Sequence, residues 1–132
     1  MRLTLRADGA ADLALVWRRY SCPELWSGWA PQIRRVDCST ESLEIGSTGT
    51  VYGVVPNLGA RFEVVEFWED DHRWTWIVQA GPVNLRLDHR SESRIGGGTS
   101  TTLIADGPAA AVLIYAPVAR ISLEALVRPP KL

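Results

Sequence analysis

Residues 16–37 read VWRRYSCPELWSGWAPQIRRVD, and this stretch decides the fold because it joins a helix, a turn and an extended segment. An amphipathic helix ends near Pro23, and a short turn then places Trp26 and Trp29 on one side. The chain after this stretch alternates apolar and polar residues, as antiparallel strands do, until a second helix starts at about Asp106. A helix, a long curved sheet and a closing helix are the parts of a hollow ligand-binding domain.

The composition of the chain indicates one globular domain. Its 132 residues are enough to form a core without disulfides or metal. The 14 basic and 15 acidic residues are dispersed, so the sequence predicts no surface for nucleic acid or for an anionic membrane. The unusual quantity is the six tryptophans in a small chain.

Three features bear on where the protein works. Cys22 and Cys38 have no CxxC spacing, which favours free thiols in a reducing compartment over the alternative of a disulfide. The first eight residues alternate apolar and polar positions and lack the apolar core of a signal peptide. The longest apolar run, residues 108–119, contains Pro117 and is too short to span a bilayer. We therefore expect a soluble cytoplasmic protein, a monomer or homodimer, with no membrane insertion.

Periodicity predicts two helices and one antiparallel sheet of six or seven strands. The helices cover about residues 10–22 and 108–127. The clearest hairpin pairs residues 61–69 with residues 73–80. Other segments complete the sheet, with strands predicted at residues 2–6, 33–38, 50–55, 85–90 and 99–105 and a turn at residues 56–59.

Several local motifs follow one another in a recognisable order along the whole chain. They are Val16-Trp17, Trp29-Ala30-Pro31, Gly49-Thr50-Val51, Trp74-Thr75-Trp76, His89 followed by Gly97-Gly98-Thr99, and Gly107-Pro108. In this order they resemble the polyketide cyclase/dehydrase branch of the START-like (SRPBCC) superfamily. The resemblance implies an α+β helix-grip fold, in which a curved antiparallel sheet wraps around a C-terminal helix with a ligand cavity between them. The chain departs from the family at its end, where we expect a short last helix that contains Pro117.

Strand alternation assigns side chains to the wall of this cavity. Trp74 and Trp76 share one face of their strand, Leu87 and His89 share a face of the next, and Leu103 lies on the last. An aromatic wall with a few polar atoms is typical of small-molecule sites. The alternative is that the two tryptophans only fill the core beneath the helix. The candidate ligand-binding residues are Trp29, Tyr52, Trp74, Trp76, Leu87, His89, Leu103 and Tyr115.

His89 and Tyr52 are the candidate catalytic residues. A histidine on an apolar face can donate a hydrogen bond to a ligand carbonyl, or move a proton in an aldol-type cyclisation. The alternative for His89 is a core histidine bonded to Tyr115 or to a backbone carbonyl. We expect Tyr115 to tilt toward the cavity mouth because Pro117 removes a backbone hydrogen bond from its helix.

Other motifs carry no catalytic or metal-binding signal. His72 follows two aspartates in a hairpin turn, and adjacent residues on one loop seldom converge on a single ion. The glycines at residues 96–98 lack the lysine and the following helix of a phosphate-binding loop. We therefore predict no metal and no cofactor.

The sequence favours binding of a hydrophobic or aromatic small molecule, similar to a polyketide, a lipid or a related metabolite. The first alternative is a polyketide aromatase or cyclase that catalyses aldol-type cyclisation and dehydration. The second is a protein-interaction module of the same fold, which should expose a large apolar patch.

Overall fold

The computed structural model describes residues 1–53 and 59–130. The end of the strand predicted at residues 50–55 lies outside the described residues, as does the turn predicted at residues 56–59 apart from Gly59.

The sequence-based prediction of an α+β fold with six or seven antiparallel strands is confirmed. Seven strands form one antiparallel sheet in the order β1-β7-β6-β5-β4-β3-β2. The elements, in chain order, are β1 (Arg2–Gly9), α1 (Leu13–Ser21), a 3₁₀ turn (Pro23–Leu25), α2 (Trp26–Trp29), β2 (Arg35–Cys38), β3 (Thr48–Tyr52), β4 (Gly59–Trp68), β5 (Arg73–Ala80), β6 (Val83–Ser93), β7 (Thr99–Asp106) and α3 (Ala109–Leu126).

Helix α1 begins at a side-chain cap and ends at a proline. The Asp12 carboxylate accepts a hydrogen bond from the Leu15 amide (2.8 Å), which satisfies one of the free donors of the first turn. Val16, Trp17 and Tyr20 recur at helical spacing and are buried. Pro23 then starts a 3₁₀ turn because proline fits the first turn of a helix but cannot continue one.

The sheet bends at a β-bulge in β4. The register between β4 and β5 shifts between Val64 and Glu66, and an extra residue of this kind bends the strand and increases its twist. Phe62 and Val64 are buried on the core side of β4. The bulge therefore helps the sheet to curve around the interior.

The C-terminal helix α3 covers nearly the whole range predicted for it, residues 108–127. It runs without a break for 18 residues, and Pro117 lies on its exposed side, where water can satisfy the carbonyl that the proline leaves unpaired. The helix therefore contains Pro117, as expected, and continues past it to Leu126. Val112, Leu123 and Leu126 bury the opposite side of the helix.

A close backbone contact fixes the end of α3 on the sheet. The Ala11 amide donates a hydrogen bond to the Val127 carbonyl (3.0 Å). Gly9 lies directly against the Val127 backbone, and a side chain at position 9 would collide with it. This glycine is thus required for the close approach of β1 and α3.

The exposed side of α3 is also apolar. Leu113, Ile114 and Ile121 all lie largely in solvent. With a mean hydropathy of 1.5 over residues 109–126, α3 is long and apolar enough to cross a bilayer. Core helices meet the same two criteria, and the buried side of α3 packs into the core of this domain.

Two leucines on α3 provide a matched test of how the helix is anchored. Leu126 is fully buried, whereas Leu113 is 55% exposed. We expect Leu126→Ala to lower the free energy of unfolding by about 2–5 kcal/mol, because it leaves a cavity in the core. Leu113→Ala should change it by less than about 0.5 kcal/mol. Equal losses in urea denaturation would show that α3 does not pack through this side.

Candidate ligand-binding site

The interior between the sheet and the helices is filled by a cluster of aromatic rings. Trp26 of α2 stacks on Trp74 of β5, with ring centroids 6.1 Å apart, and meets Trp76 edge-on at 5.2 Å. Tyr20 of α1 meets Trp74 edge-on at 5.4 Å. The Trp26 indole N–H donates to the Tyr20 carbonyl (2.9 Å), which joins the start of α2 to the end of α1. Such edge-on and offset contacts are the preferred packing of aromatic rings.

His89 is held against Trp74 by a stack and a hydrogen bond. The two residues are directly opposite in the β5–β6 ladder. Their rings are nearly parallel, at 5°, with centroids 3.9 Å apart. His89 Nδ1 lies 3.1 Å from the Trp74 carbonyl oxygen. Because a carbonyl oxygen only accepts, Nδ1 carries the hydrogen and donates it.

Burial keeps the titratable groups of this region neutral. Desolvation is the largest effect on His89 and lowers its pKa to about 4, against the smaller opposing effect of the hydrogen bond to Trp74. Burial also raises the pKa of the Tyr115 phenol to about 12 and raises the pKa of Tyr20. At neutral pH the interior therefore presents an uncharged imidazole and two uncharged phenols.

We name the cavity beside His89 the inner chamber. Its volume is about 40 Å³, which is room for about two or three water molecules. One polar pair lies in its wall, where the Ser122 hydroxyl donates to the Gln32 side-chain oxygen (2.6 Å). The lining residues are Tyr20, Trp26, Trp29, Ala30, Gln32, Ile33, Trp74, Trp76, His89, Leu103, Tyr115, Ala119, Ser122 and Leu123.

A second and larger cavity, the outer chamber, adjoins the first. Its volume is about 300 Å³, at the lower end of the range for small-molecule sites. Trp76, Tyr115, Gln32 and Ile33 line both chambers and form the boundary between them. The remaining lining residues are almost all apolar: Val51, Gly53, Gly59, Ala60, Val78, Ala80, Leu85 and Leu87.

Most of the candidate residues from the sequence lie in these walls. Leu87 lines the outer chamber, and Trp76 and Tyr115 line both. The inner chamber is lined by the others, Trp29, Trp74, His89 and Leu103. Trp74 and Trp76 are also buried among core side chains, so they pack the core and line the cavity together.

Tyr52 is the exception, and the expectation that it reaches inward is wrong. Its neighbour Val51 packs against the core, so strand alternation puts Tyr52 on the opposite face of β3. There the guanidinium of Arg35 lies over the Tyr52 ring, 4.2 Å from its centroid. Tyr52 therefore has no access to either chamber as a catalytic or ligand-binding residue.

Sequence analysis missed the polar pair of the inner chamber and the role of Tyr20. Ser122 lies seven residues after Tyr115, two turns along the same side of α3, so helical spacing could have found it. Gln32 follows the turn and gives no such signal. Tyr20 lines the inner chamber, and its hydroxyl lies 3.3 Å from the Thr101 hydroxyl.

Two indole N–H groups in the cluster have no hydrogen-bond acceptor among the described residues. They belong to Trp74 and Trp76, which meet edge-on at 5.1 Å. Contacts between an N–H and an aromatic face are weaker than ordinary hydrogen bonds but recur in such clusters. Within residues 1–53 and 59–130, no three potential metal ligands lie together.

Comparison with known proteins gives structural matches only. No protein-family model matches the chain, and no curated protein matches its sequence. A major latex-like protein from Panax ginseng has a TM-score of 0.75 at 15% identity, covering 98% of both chains. A protein from Nitrosospira multiformis has a TM-score of 0.79 at 15% identity, and Ara h 8.0201 has 0.77 at 10%. Each of these two covers 96% of this chain and 94% of its own.

These likenesses establish the fold. They confirm the predicted helix-grip fold, a seven-stranded antiparallel sheet around a C-terminal helix. The polyketide cyclase branch stays a prediction.

The buried, neutral state of His89 predicts a pH dependence of stability. Its pKa is about 4 in the folded protein against 6.5 for an ordinary histidine, so the unfolded chain binds the proton more tightly. The contribution of the neutral His89 to the free energy of unfolding is therefore fully present above pH 6.5 and is lost as the pH falls toward 4. Between pH 7.5 and 4.5 the free energy of unfolding should fall by about 2–3 kcal/mol more in the wild type than in His89→Gln. An equal fall in urea titrations of both proteins would contradict the burial of a neutral imidazole.

Proposed function

We propose that this protein binds a hydrophobic or aromatic small molecule in the two adjoining chambers. The observation that carries the proposal is the outer chamber, about 300 Å³ with a nearly continuous apolar wall. A wall of this kind favours an apolar ligand, because burying apolar surface removes it from water at about 25 cal/mol per Å². The few polar atoms lie at one end, in the inner chamber, as in sites where polar groups orient a mostly apolar ligand.

The catalytic alternative has less support from the interior. A polyketide cyclase needs a group that moves protons, and such groups work best with a pKa near the working pH. His89 has a pKa of about 4 and Tyr115 a pKa of about 12, so neither is poised near neutrality. Tyr52, the second catalytic candidate, lies on the opposite face of β3. The arrangement therefore supports binding better than proton transfer.

The interaction-module alternative does not account for the chambers. Its support is the exposed apolar side of α3, with Leu113, Ile114 and Ile121. Those side chains point to solvent and line neither chamber.

The cysteines support a location in a reducing compartment such as the cytoplasm, because Cys22 and Cys38 are both free thiols.

Filling the outer chamber should abolish binding without unfolding the protein. Ala60 lines this chamber and lies opposite Val51, so the ring in Ala60→Phe would occupy space that the ligand needs. Butylbenzene is a suitable probe, and its binding can be followed by the fluorescence of the tryptophans that line the chambers. We expect Ala60→Phe to weaken binding at least about tenfold, a loss of about 1.4 kcal/mol.

The matched control is Ala110→Phe, which adds the same ring on the exposed start of α3. This variant should bind butylbenzene as the wild type does, and both variants should keep a cooperative thermal transition. Equal affinity of Ala60→Phe and the wild type would remove the outer chamber as the binding site.

A further inference from the structure

We propose that the inner chamber selects ligands that carry an uncharged hydroxyl group at one end, with His89 Nε2 as the hydrogen-bond acceptor. The apolar remainder of the ligand lies in the outer chamber. The inference rests on the proposed binding function and names the chemistry that the same site recognises.

The tautomer of His89 is fixed by its surroundings. Nδ1 donates to the Trp74 carbonyl at 3.1 Å, so in the neutral ring the lone pair is on Nε2. A ring flip would replace Nδ1 by carbon and break this bond, and the parallel stack on Trp74 at 3.9 Å holds the ring plane in place. The low pKa of His89 keeps the ring neutral and Nε2 unprotonated at neutral pH. Nε2 is therefore an obligate acceptor.

Nε2 is also the acceptor that the chamber leaves free. Among the described residues, no protein atom hydrogen-bonds to Nε2, and His89 lines the inner chamber. Of the other polar side chains in the wall, Ser122 donates to the Gln32 side-chain oxygen and the Tyr20 hydroxyl lies 3.3 Å from the Thr101 hydroxyl. The Tyr115 phenol also lines the chamber, and a ligand hydroxyl that donates to Nε2 has lone pairs left to accept from it. An acceptor left unpaired in a buried site favours a ligand that brings a donor.

The size and charge of the inner chamber narrow the ligand class. A volume of about 40 Å³ admits a hydroxyl group or a few waters but not a second ring. The residues that line it include no lysine or arginine, and its histidine is neutral, so a carboxylate or phosphate would lose its hydration without gaining a counter-charge. A ketone or an ether brings no hydrogen for Nε2. The hydroxyl of a phenol or an alcohol is small and uncharged and brings this hydrogen, so it meets all three requirements.

The two chambers share part of their walls and therefore lie side by side. Trp76 and Tyr115 belong to the walls of each, so the polar end and the apolar body of a ligand can meet at this boundary. Leu87 and His89 are two residues apart and lie on the same face of β6. Leu87 lines the outer chamber and His89 lines the inner one. The ligand is thus expected to be elongated, with its hydroxyl at a terminus.

A series of matched probes tests this selection. The probes are 4-butylphenol, its methyl ether 4-butylanisole, the unsubstituted butylbenzene and the anionic 4-butylbenzoate, each titrated calorimetrically at neutral pH. We expect 4-butylphenol to bind about tenfold more tightly than butylbenzene, as one hydrogen bond to a buried acceptor allows. The ether should gain nothing over butylbenzene, and the benzoate should bind more weakly than all of them.

Variants of His89 tie the preference to one atom. In His89→Phe, which keeps an aromatic ring beside Trp74 but removes the acceptor, the preference for 4-butylphenol over butylbenzene should fall to about onefold. Tyr52→Phe is the control, because it deletes a hydroxyl on the opposite face of the sheet and should keep the full preference. If His89→Phe does not fold, the order in which the four probes bind to the wild type still tests whether the site selects a hydroxyl group.

The outcomes separate the two proposals. Binding of butylbenzene with no preference for the phenol, or with an equal gain for the ether, would overturn the hydroxyl selection and leave the binding function standing. A preference that persists in His89→Phe would overturn the role of Nε2. Failure of all four probes to bind would overturn the binding function and the selection together.

Discussion

The contact between Trp74 and His89 is the interaction on which the interior depends. It joins β5 to β6 by a stack at 3.9 Å and by a hydrogen bond from the imidazole to the Trp74 carbonyl. Because Trp74 is held there, Trp26 and Tyr20 can pack against it from the helical side. In this contact Nδ1 of the imidazole donates its hydrogen bond to the Trp74 carbonyl, and Nε2 stays available to a group in the cavity. One pair of side chains thus holds the core together and leaves His89 Nε2 as the acceptor on which the proposed ligand selection rests.

The stretch that decides the fold also decides how much of the interior stays open. Trp26 and Trp29 are the first and last residues of α2, and both line the inner chamber. What remains is a small polar chamber and a larger apolar one, with Trp76 between them. The end of α3 lies against β1 because Gly9 lets the two backbones approach each other at Val127. The domain contains cavities, and the close packing of its aromatic side chains is what stabilises it.

Sequence patterns predicted this fold well because strand and helix periodicities were clear where the core is formed. The two-residue spacing of Trp74 and Trp76 on one strand predicted that both rings share a face, and both are buried. The same rule failed at Tyr52, because apolar Val51 precedes it on a strand flanked by glycines and the alternation there has no clear phase. The partition into two chambers could not be predicted, because it depends on how aromatic rotamers fill the space. The bond from His89 to a backbone carbonyl was one alternative that the sequence left open, but the sequence could not identify Trp74 as the partner because every residue carries a carbonyl.

The most direct test of this account is a crystal structure of the protein under xenon pressure, refined with its ordered water. Xenon enters dry apolar cavities, whereas buried water requires polar partners. The account predicts xenon in the outer chamber near Ala60 and Leu87, and ordered water within hydrogen-bonding distance of His89 Nε2 in the inner chamber. Side chains that close the outer chamber, or xenon beside Nε2 with no water there, would contradict the division of the site into an apolar body and a polar end.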